Sequence, residues 1–177
     1  MKLSPATEYD VRQIFVELDK QSHLPLSGDF LLGFPTTSVS WHKAELDIQE
    51  FENLYLFWDG SAWGQNYNEP PRTLKEGVPA FQQIDGDATQ PDNNHLKQIK
   101  SCLEKLRARE FETDRPFLIL AGDATSKHFI ILDGNHRAAA AYWWSLEAHG
   151  LTWLPLVAWV GLSPEMLHYS FYSRIFR

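Results

Sequence analysis

Four consecutive apolar residues, Phe129-Ile130-Ile131-Leu132, run into Asp133-Gly134-Asn135-His136-Arg137 and then into Ala138-Ala139-Ala140-Ala141-Tyr142-Trp143-Trp144. No other stretch constrains the fold as tightly. A short apolar run ending in a polar turn predicts a covered strand, and the alanine run has the highest intrinsic helix propensity. A strand that turns through glycine onto a helix start gathers backbone N–H groups that the helix cannot satisfy itself. The helix dipole adds positive potential there, so an anion, phosphate above all, suits the place. Arg137 can grip a phosphate through two parallel bonds, and His136 can donate one more. A plainer reading stands beside this one. Asp-Gly is a common turn, Asp133 is then an ordinary N-cap, Asn135 a turn residue, and His136-Arg137 a solvated first helical turn. From these residues alone both readings stay open.

A chain of 177 residues suits one domain with a substantial core. Hydrophobic residues at 44% and seven tryptophans place it among globular proteins rather than disordered ones. The lone Cys102 excludes an internal disulfide, and Met1 to Asp10 lacks the apolar core of a secretory signal. Gly150 to Pro164 is uncharged but too short to span a bilayer. The expectation is a cytoplasmic protein without membrane association. Residues 1–93 carry fifteen acidic against six basic side chains, and residues 94–177 eight against ten. An acidic chain is a poor non-specific nucleic-acid binder, whereas a small phosphorylated ligand in the C-terminal half fits this balance.

Thr7 as N-cap and Val11, Ile14, Phe15 and Leu18 at helical spacing predict an opening helix. Residues 19–37 read as irregular. Ser40 to Glu52 reads as a second helix capped by Ser40, without a capping box because Lys43 stands three residues on. Leu54 to Trp58 reads as a strand. Ser61 to Gly77 reads as a loop, whose Trp63 and Tyr67 are either pocket or core aromatics. Val78 to Ile84 is expected to be a strand, turned by Asp85-Gly86-Asp87. A helix follows Pro91-Asp92, with Leu96, Ile99, Leu103 and Leu106 as its apolar stripe. Its cations Lys97, Lys100, Lys105, Arg107 and Arg109 read as a solvated face. Pro116 to Leu120 and His128 to Leu132 form a hairpin whose turn holds Gly122-Asp123. The motif helix closes at Gly150, Leu154 to Val160 makes another strand, and Ser163-Pro164-Glu165 starts a last helix.

In that order, residues 78 to about 162 resemble the ParB/sulfiredoxin superfamily. The resemblance rests on Asn94-His95-Leu96 through Leu106, Arg115-Pro116-Phe117-Leu118-Ile119-Leu120, and Ile130-Ile131-Leu132-Asp133-Gly134-Asn135-His136-Arg137-Ala138-Ala139-Ala140. The Asp-Gly-x-His-Arg core is closest to the free-serine kinase branch, with its Asp-Gly-His-His-Arg. The resemblance implies that Gly134 and Asn135 supply backbone N–H groups while His136 and Arg137 contact nucleotide phosphates. Sulfiredoxin has its catalytic cysteine where this chain has Asn135, so sulfinic-acid repair is not expected here. A ParB clamp also fits poorly, since no helix-turn-helix module is seen after residue 162. Fic-type AMP transferases share a Gly-Asn-x-Arg loop preceded by histidine, but His128 lies one residue too far upstream, and its flank reads as a strand.

The expectation is therefore a single α+β domain. It comprises an N-terminal extension (1–77), a ParB/sulfiredoxin-like core with a small mixed sheet (78–162), and a C-terminal helix (163–177). The expected function is binding of a nucleoside triphosphate, ATP or CTP with Mg²⁺, and phosphoryl transfer to a small hydroxyl-bearing acceptor. Asp133, Gly134, Asn135, His136 and Arg137 would form the nucleotide site. Asp85, Asp87 and Asp123 are the candidates for the carboxylate that takes the acceptor's proton. Asp133 either caps the helix or helps to hold metal. The competing expectation is a nucleotide-sensing or protein-binding regulator without turnover.

Overall fold

The computed structural model describes residues 1–22, 34–57, 72–85, 93–108, 118–123, 125, 128–147, 156–169, 172–173 and 176. Five strands, β1 (Lys2–Pro5), β2 (Ser40–Leu46), β3 (Leu118–Gly122), β4 (Phe129–Asp133) and β5 (Leu156–Leu162), form one mixed sheet in the order β1-β2-β5-β3-β4. β3 runs parallel to β5, and the other neighbours pair antiparallel. The helices are α1 (Glu8–Ser22), α2 (Ile48–Glu52), α3 (Leu74–Asp85), α4 (Asn94–Arg107) and α5 (Asn135–Glu147).

Side-chain alternation along the strands builds two cores, one on each face of the sheet. Ala44, Leu46, Leu118, Leu120, Ile131, Ala158 and Val160 face α2 to α5, where they meet Phe51, Val78, Phe81, Ile99, Leu103 and the buried alanines of α5. Trp41, Ile119, Ala121, Ile130, Leu132 and Trp159 face the other way, toward Ile14 of α1, Phe34, Met166, Tyr169 and Tyr172. With apolar contact on both faces, β3 and β4 can be apolar throughout, as the run at 129–132 requires. The alanines of α5, buried without bulk, let that helix lie close to the sheet and to α4.

Several expectations are corrected. Val78 to Ile84 is helix, not strand. Leu74, Val78 and Phe81 recur at i, i+4 and i+7 and are fully buried. Glu76 reaches back to accept from the N–H of Thr73 (3.0 Å) and from its hydroxyl (2.9 Å), so the helix starts inside the stretch read as loop. Ser40 to Glu52 is not one helix but β2 followed by α2. The capping box is Asp47 with Glu50 instead: the Asp47 carboxylate accepts from Glu50 N–H at 2.8 Å, and Glu50 accepts from Asp47 N–H at 3.1 Å. Leu54 to Trp58 is no regular strand. Tyr55 alone bridges Thr73 and Ile130, covering the outer edge of β4, and Trp58 lies outside the described residues. After Ser163, whose hydroxyl accepts from Glu165 N–H at 3.1 Å, the chain makes a 3₁₀ turn at Met166–His168, and helical residues follow only at Tyr172, Ser173 and Phe176 among the described ones, so the last helix does not start at Ser163.

The opening helix capped at Thr7, the stripe of α4, the β3–β4 hairpin and the strand–glycine–helix passage all form as expected. The sheet crosses the boundary drawn between residues 77 and 78, because β2 pairs with β5 at seven positions from Ser40↔Leu162 to Leu46↔Leu156.

Candidate functional site

The site is built where β4 passes into α5. Gly134 has φ 93°, a backbone region that L side chains rarely adopt. Its carbonyl accepts from Ala138 N–H at 2.8 Å, which makes Gly134 the N-cap position of α5. Asp133 is consequently the last strand residue and not the cap. Its carboxylate accepts from Arg137 Nη2 at 2.8 Å, one helical turn on. Asp133 is 17% exposed and Arg137 35%, so the guanidinium is held at the rim.

Asn135 serves the fold. Buried to 9% exposure, its Oδ1 accepts from Phe57 N–H at 2.9 Å and its Nδ2 donates to the Ile131 carbonyl at 3.1 Å. The side chain bolts the segment at Phe57 onto the motif turn. Replacing it with leucine removes both bonds from a buried place and should cost about 2–3 kcal/mol of stability. Denaturant unfolding measures this. A change below about 0.5 kcal/mol, the range of a neutral surface substitution, would show that the amide holds nothing.

His136 meets a residue not singled out from the sequence. Its Nε2 lies 3.0 Å from Nδ1 of His95, and the rings stack at 5.3 Å with 20° between their planes. His95 stands in the first turn of α4, just after Asn93, whose side chain caps that helix by accepting from the N–H groups of His95 and Leu96. At the other end of the pair, Arg107 in the last turn of α4 bonds Glu147 at the end of α5 at 2.6 Å. The two helices therefore run side by side in the same direction, and their positive ends share one mouth. The signal for His95 was present in the sequence, since Asn93 is a good N-cap that sets the histidine in the helix's first turn.

Burial, and next the neighbouring His95, holds His136 well below its usual 6.5, at about 4. The sign follows. The unfolded chain binds this proton more readily than the native one, so His136 costs no stability at pH 7 and progressively more below pH 6.5. By pH 4.5 the cost reaches about 2–3 kcal/mol. The His136→Gln variant should lose that much less than wild type between pH 7 and 4.5 in chemical denaturation. Equal losses would mean that the imidazole titrates normally.

Of the two carboxylate candidates among the described residues, Asp85 lies nearer to this mouth than Asp123 does. Asp85 ends α3 and bonds Lys100 at 2.7 Å. Lys100 follows His95 by five residues, which is roughly 7.5 Å along α4. Asp123 follows β3 at the hairpin end, where Gly122 pairs with Phe129, whereas Asp133 pairs with Ile119 at the other end. Those ends are roughly 13 Å apart along the strand. Asp123 is also engaged there: its carboxylate accepts from Thr125 Oγ1 at 2.6 Å, and its N–H donates to the Tyr172 hydroxyl at 3.0 Å. Asp87, Trp63, Tyr67 and Gly150 lie outside the described residues.

Cys102 lies half-buried on α4, and burial raises its thiol above the usual range against the smaller opposing pull of Lys105 and Arg137. Such a thiol is not a ready nucleophile. Of the other α4 cations, Lys97, Lys100, Lys105 and Arg107 are exposed, as a solvated face should be. Among the described residues, no group of three or more His, Cys, Asp or Glu is placed to hold a metal ion, and no helix is long and apolar enough to cross a membrane. Comparison with protein-family models, with curated proteins and with solved structures gave no match.

Proposed function

We propose that the mouth shared by α4 and α5 binds the phosphates of a nucleoside triphosphate, ATP or CTP, and passes the terminal phosphoryl group to a small hydroxyl-bearing acceptor in the cytoplasm. One observation carries this reading. Parallel packing sets two positive helix ends, an imidazole pair and the Arg137 guanidinium at one place. Aligned dipoles side by side repel each other, and a bound anion at their shared N-terminal end relieves that repulsion. The strand, glycine turn, helix and following strand from Leu118 to Leu162 support a ParB/sulfiredoxin-like core in this role.

In the proposed reaction, the acceptor oxygen bonds the terminal phosphorus while the bond to the bridging oxygen breaks. The nucleoside diphosphate leaves, and the acceptor's proton passes to a base. The protein's part is mainly to position groups and to neutralise charge. Arg137 would hold equatorial oxygens, and His136, uncharged at neutral pH, would donate one N–H. Asp133 is occupied by Arg137, so magnesium is assigned to the nucleotide as part of the substrate and not to a protein cage. For the base, Asp85 comes ahead of Asp123, because α3 ends beside α4 whereas Asp123 sits at the far end of the hairpin; Asp87, two residues on in the sequence, is tested with it.

A second reading is favoured by the same carboxylates. Asp85 is bonded to Lys100 and Asp133 to Arg137, which suits a nucleotide sensor without turnover. Purified protein incubated with Mg²⁺ and ATP or CTP against a panel of small alcohols and amino acids, read by mass spectrometry, separates the two. A phosphorylated acceptor is the expected product. Binding without any product favours the sensor, and binding of neither nucleotide overturns both readings.

A further inference from the structure

His95 and His136 come from different helices, 41 residues apart in sequence, and are held ring to ring. Two ring nitrogens 3.0 Å apart share one hydrogen: one ring donates and the other accepts. Only one of the rings can take a second proton, since two N–H groups cannot face each other at that distance. His136 is the harder to charge, because it is the ring that burial and its neighbour disfavour as a cation. The additional proton therefore belongs on His95. With that proton in place, Nδ1–H of His95 donates to Nε2 of His136, and His136 is fixed as its Nδ1–H tautomer.

Resting on the nucleotide-site reading above, we propose that His95 is a positioning residue of the phosphate site: it sets the tautomer in which His136 meets a phosphate, and it takes up the proton that accompanies binding. Among the described residues, several charged groups stand on the elements that carry or flank the pair. Arg137 on α5 and Asp133 on β4 pair with each other, and Lys100 on α4 pairs with Asp85 at the end of α3. Lys97 on α4 is exposed, and at the start of α3, Lys75 bonds Glu52 while Glu76 bonds Thr73. A terminal phosphate with two negative charges adds the anion that draws a proton onto the pair. Affinity should then fall as pH rises, because the free protein must gain the proton that the complex holds.

Two substitutions divide the roles. Asparagine places its amide where Nδ1 of histidine sits, so H95N retains a hydrogen-bond partner for His136 but cannot take a proton. H95L retains neither. The experiment pairs calorimetry of Mg²⁺-ATP and Mg²⁺-CTP, in buffers of different ionisation enthalpy near pH 8, with ¹⁵N chemical shifts of the His136 ring. Wild type should take up about one proton per nucleotide and show a single His136 tautomer. H95N should keep the tautomer and lose the proton uptake. H95L should lose both and bind about tenfold more weakly, the loss of one well-directed hydrogen bond. Unchanged tautomer and unchanged proton uptake in H95L would overturn the proposal. So would tight nucleotide binding by wild type without proton uptake, which leaves the site reading standing. If wild type binds neither nucleotide, the site reading falls and the phosphate role of His95 falls with it. The ring shifts still decide whether His95 holds the tautomer.

Discussion

Replacing Arg137 with alanine should weaken binding of both ATP and CTP by roughly thirty- to a thousandfold, or about 2–4 kcal/mol. The size of the effect rests on charge and on aim. A guanidinium presents five N–H donors in a rigid fork, so the bond from Nη2 to Asp133 orients the group without exhausting it. That carboxylate is mostly buried, which holds the arginine close to the turn between β4 and α5. Stability should change far less than affinity, since a partly exposed i,i+4 pair is worth about 0.3–1 kcal/mol. Arg137→Lys keeps the charge and loses the fork, and should fall between wild type and alanine. Calorimetry measures all three, and a thermal melt shows whether each variant is folded. Equal affinity in wild type and Arg137→Ala would sink the phosphate-site reading while leaving the fold untouched.

Gly134→Val carries the second large effect, and it acts through the backbone. At φ 93° a β-branched residue is strained whatever room surrounds it. The cost should be about 3 kcal/mol, near the upper end for a single strained residue. The turn can relieve that strain only by moving, and movement carries the first N–H groups of α5 and the Arg137 side chain away from the mouth. Nucleotide binding should drop below detection in a protein that still melts cooperatively. Gly134→Asn is the control. Asparagine tolerates positive φ better than other non-glycine residues, so that variant should retain most of the stability and a measurable affinity. Valine with full nucleotide affinity would reduce the motif to an ordinary turn. Failure of the asparagine variant together with the valine one would point to lack of space at the turn instead of strain.

The motif was legible because it is local. Apolar residues 129–132, a glycine that frees the backbone, and four alanines specify strand, turn and helix within some fifteen residues, and β4, Gly134 and α5 form as read. The stripe of α4 is legible for the same reason, with Ile99 and Leu103 at its buried centre. Signals of equal quality stand elsewhere in the sequence. Thr73 with Glu76, and Asp47 with Glu50, mark the starts of α3 and α2 at the spacing of a capping box. Those pairs outweigh the apolar run at Val78 and the Ser40 reading, because apolar runs of that length do not separate strand from helix. The placement of Asp123 was also readable. It precedes β4 and Asp133 ends it, so the length of a strand has to separate them.

By itself, then, the sequence determined the pieces whose hydrogen bonds close within a few residues: the glycine-led start of α5, the cap and stripe of α4, and the β3–β4 hairpin. It did not determine Arg137's partner: Asp133 reads as the helix cap or a metal ligand, whereas the structure ends β4 on it and pairs it with Arg137. Only the tertiary structure decided what stands opposite the motif. The parallel packing of α4 on α5 and the insertion of β2 beside β5 depend on which apolar faces bury each other across long stretches of chain. Periodicity marks such a face without naming its partner. That is why Asn135, which reads as a backbone donor or a turn residue, proves to be a buried bolt to Phe57, and why His136, which reads as a phosphate contact or a solvated residue, has His95 against its ring.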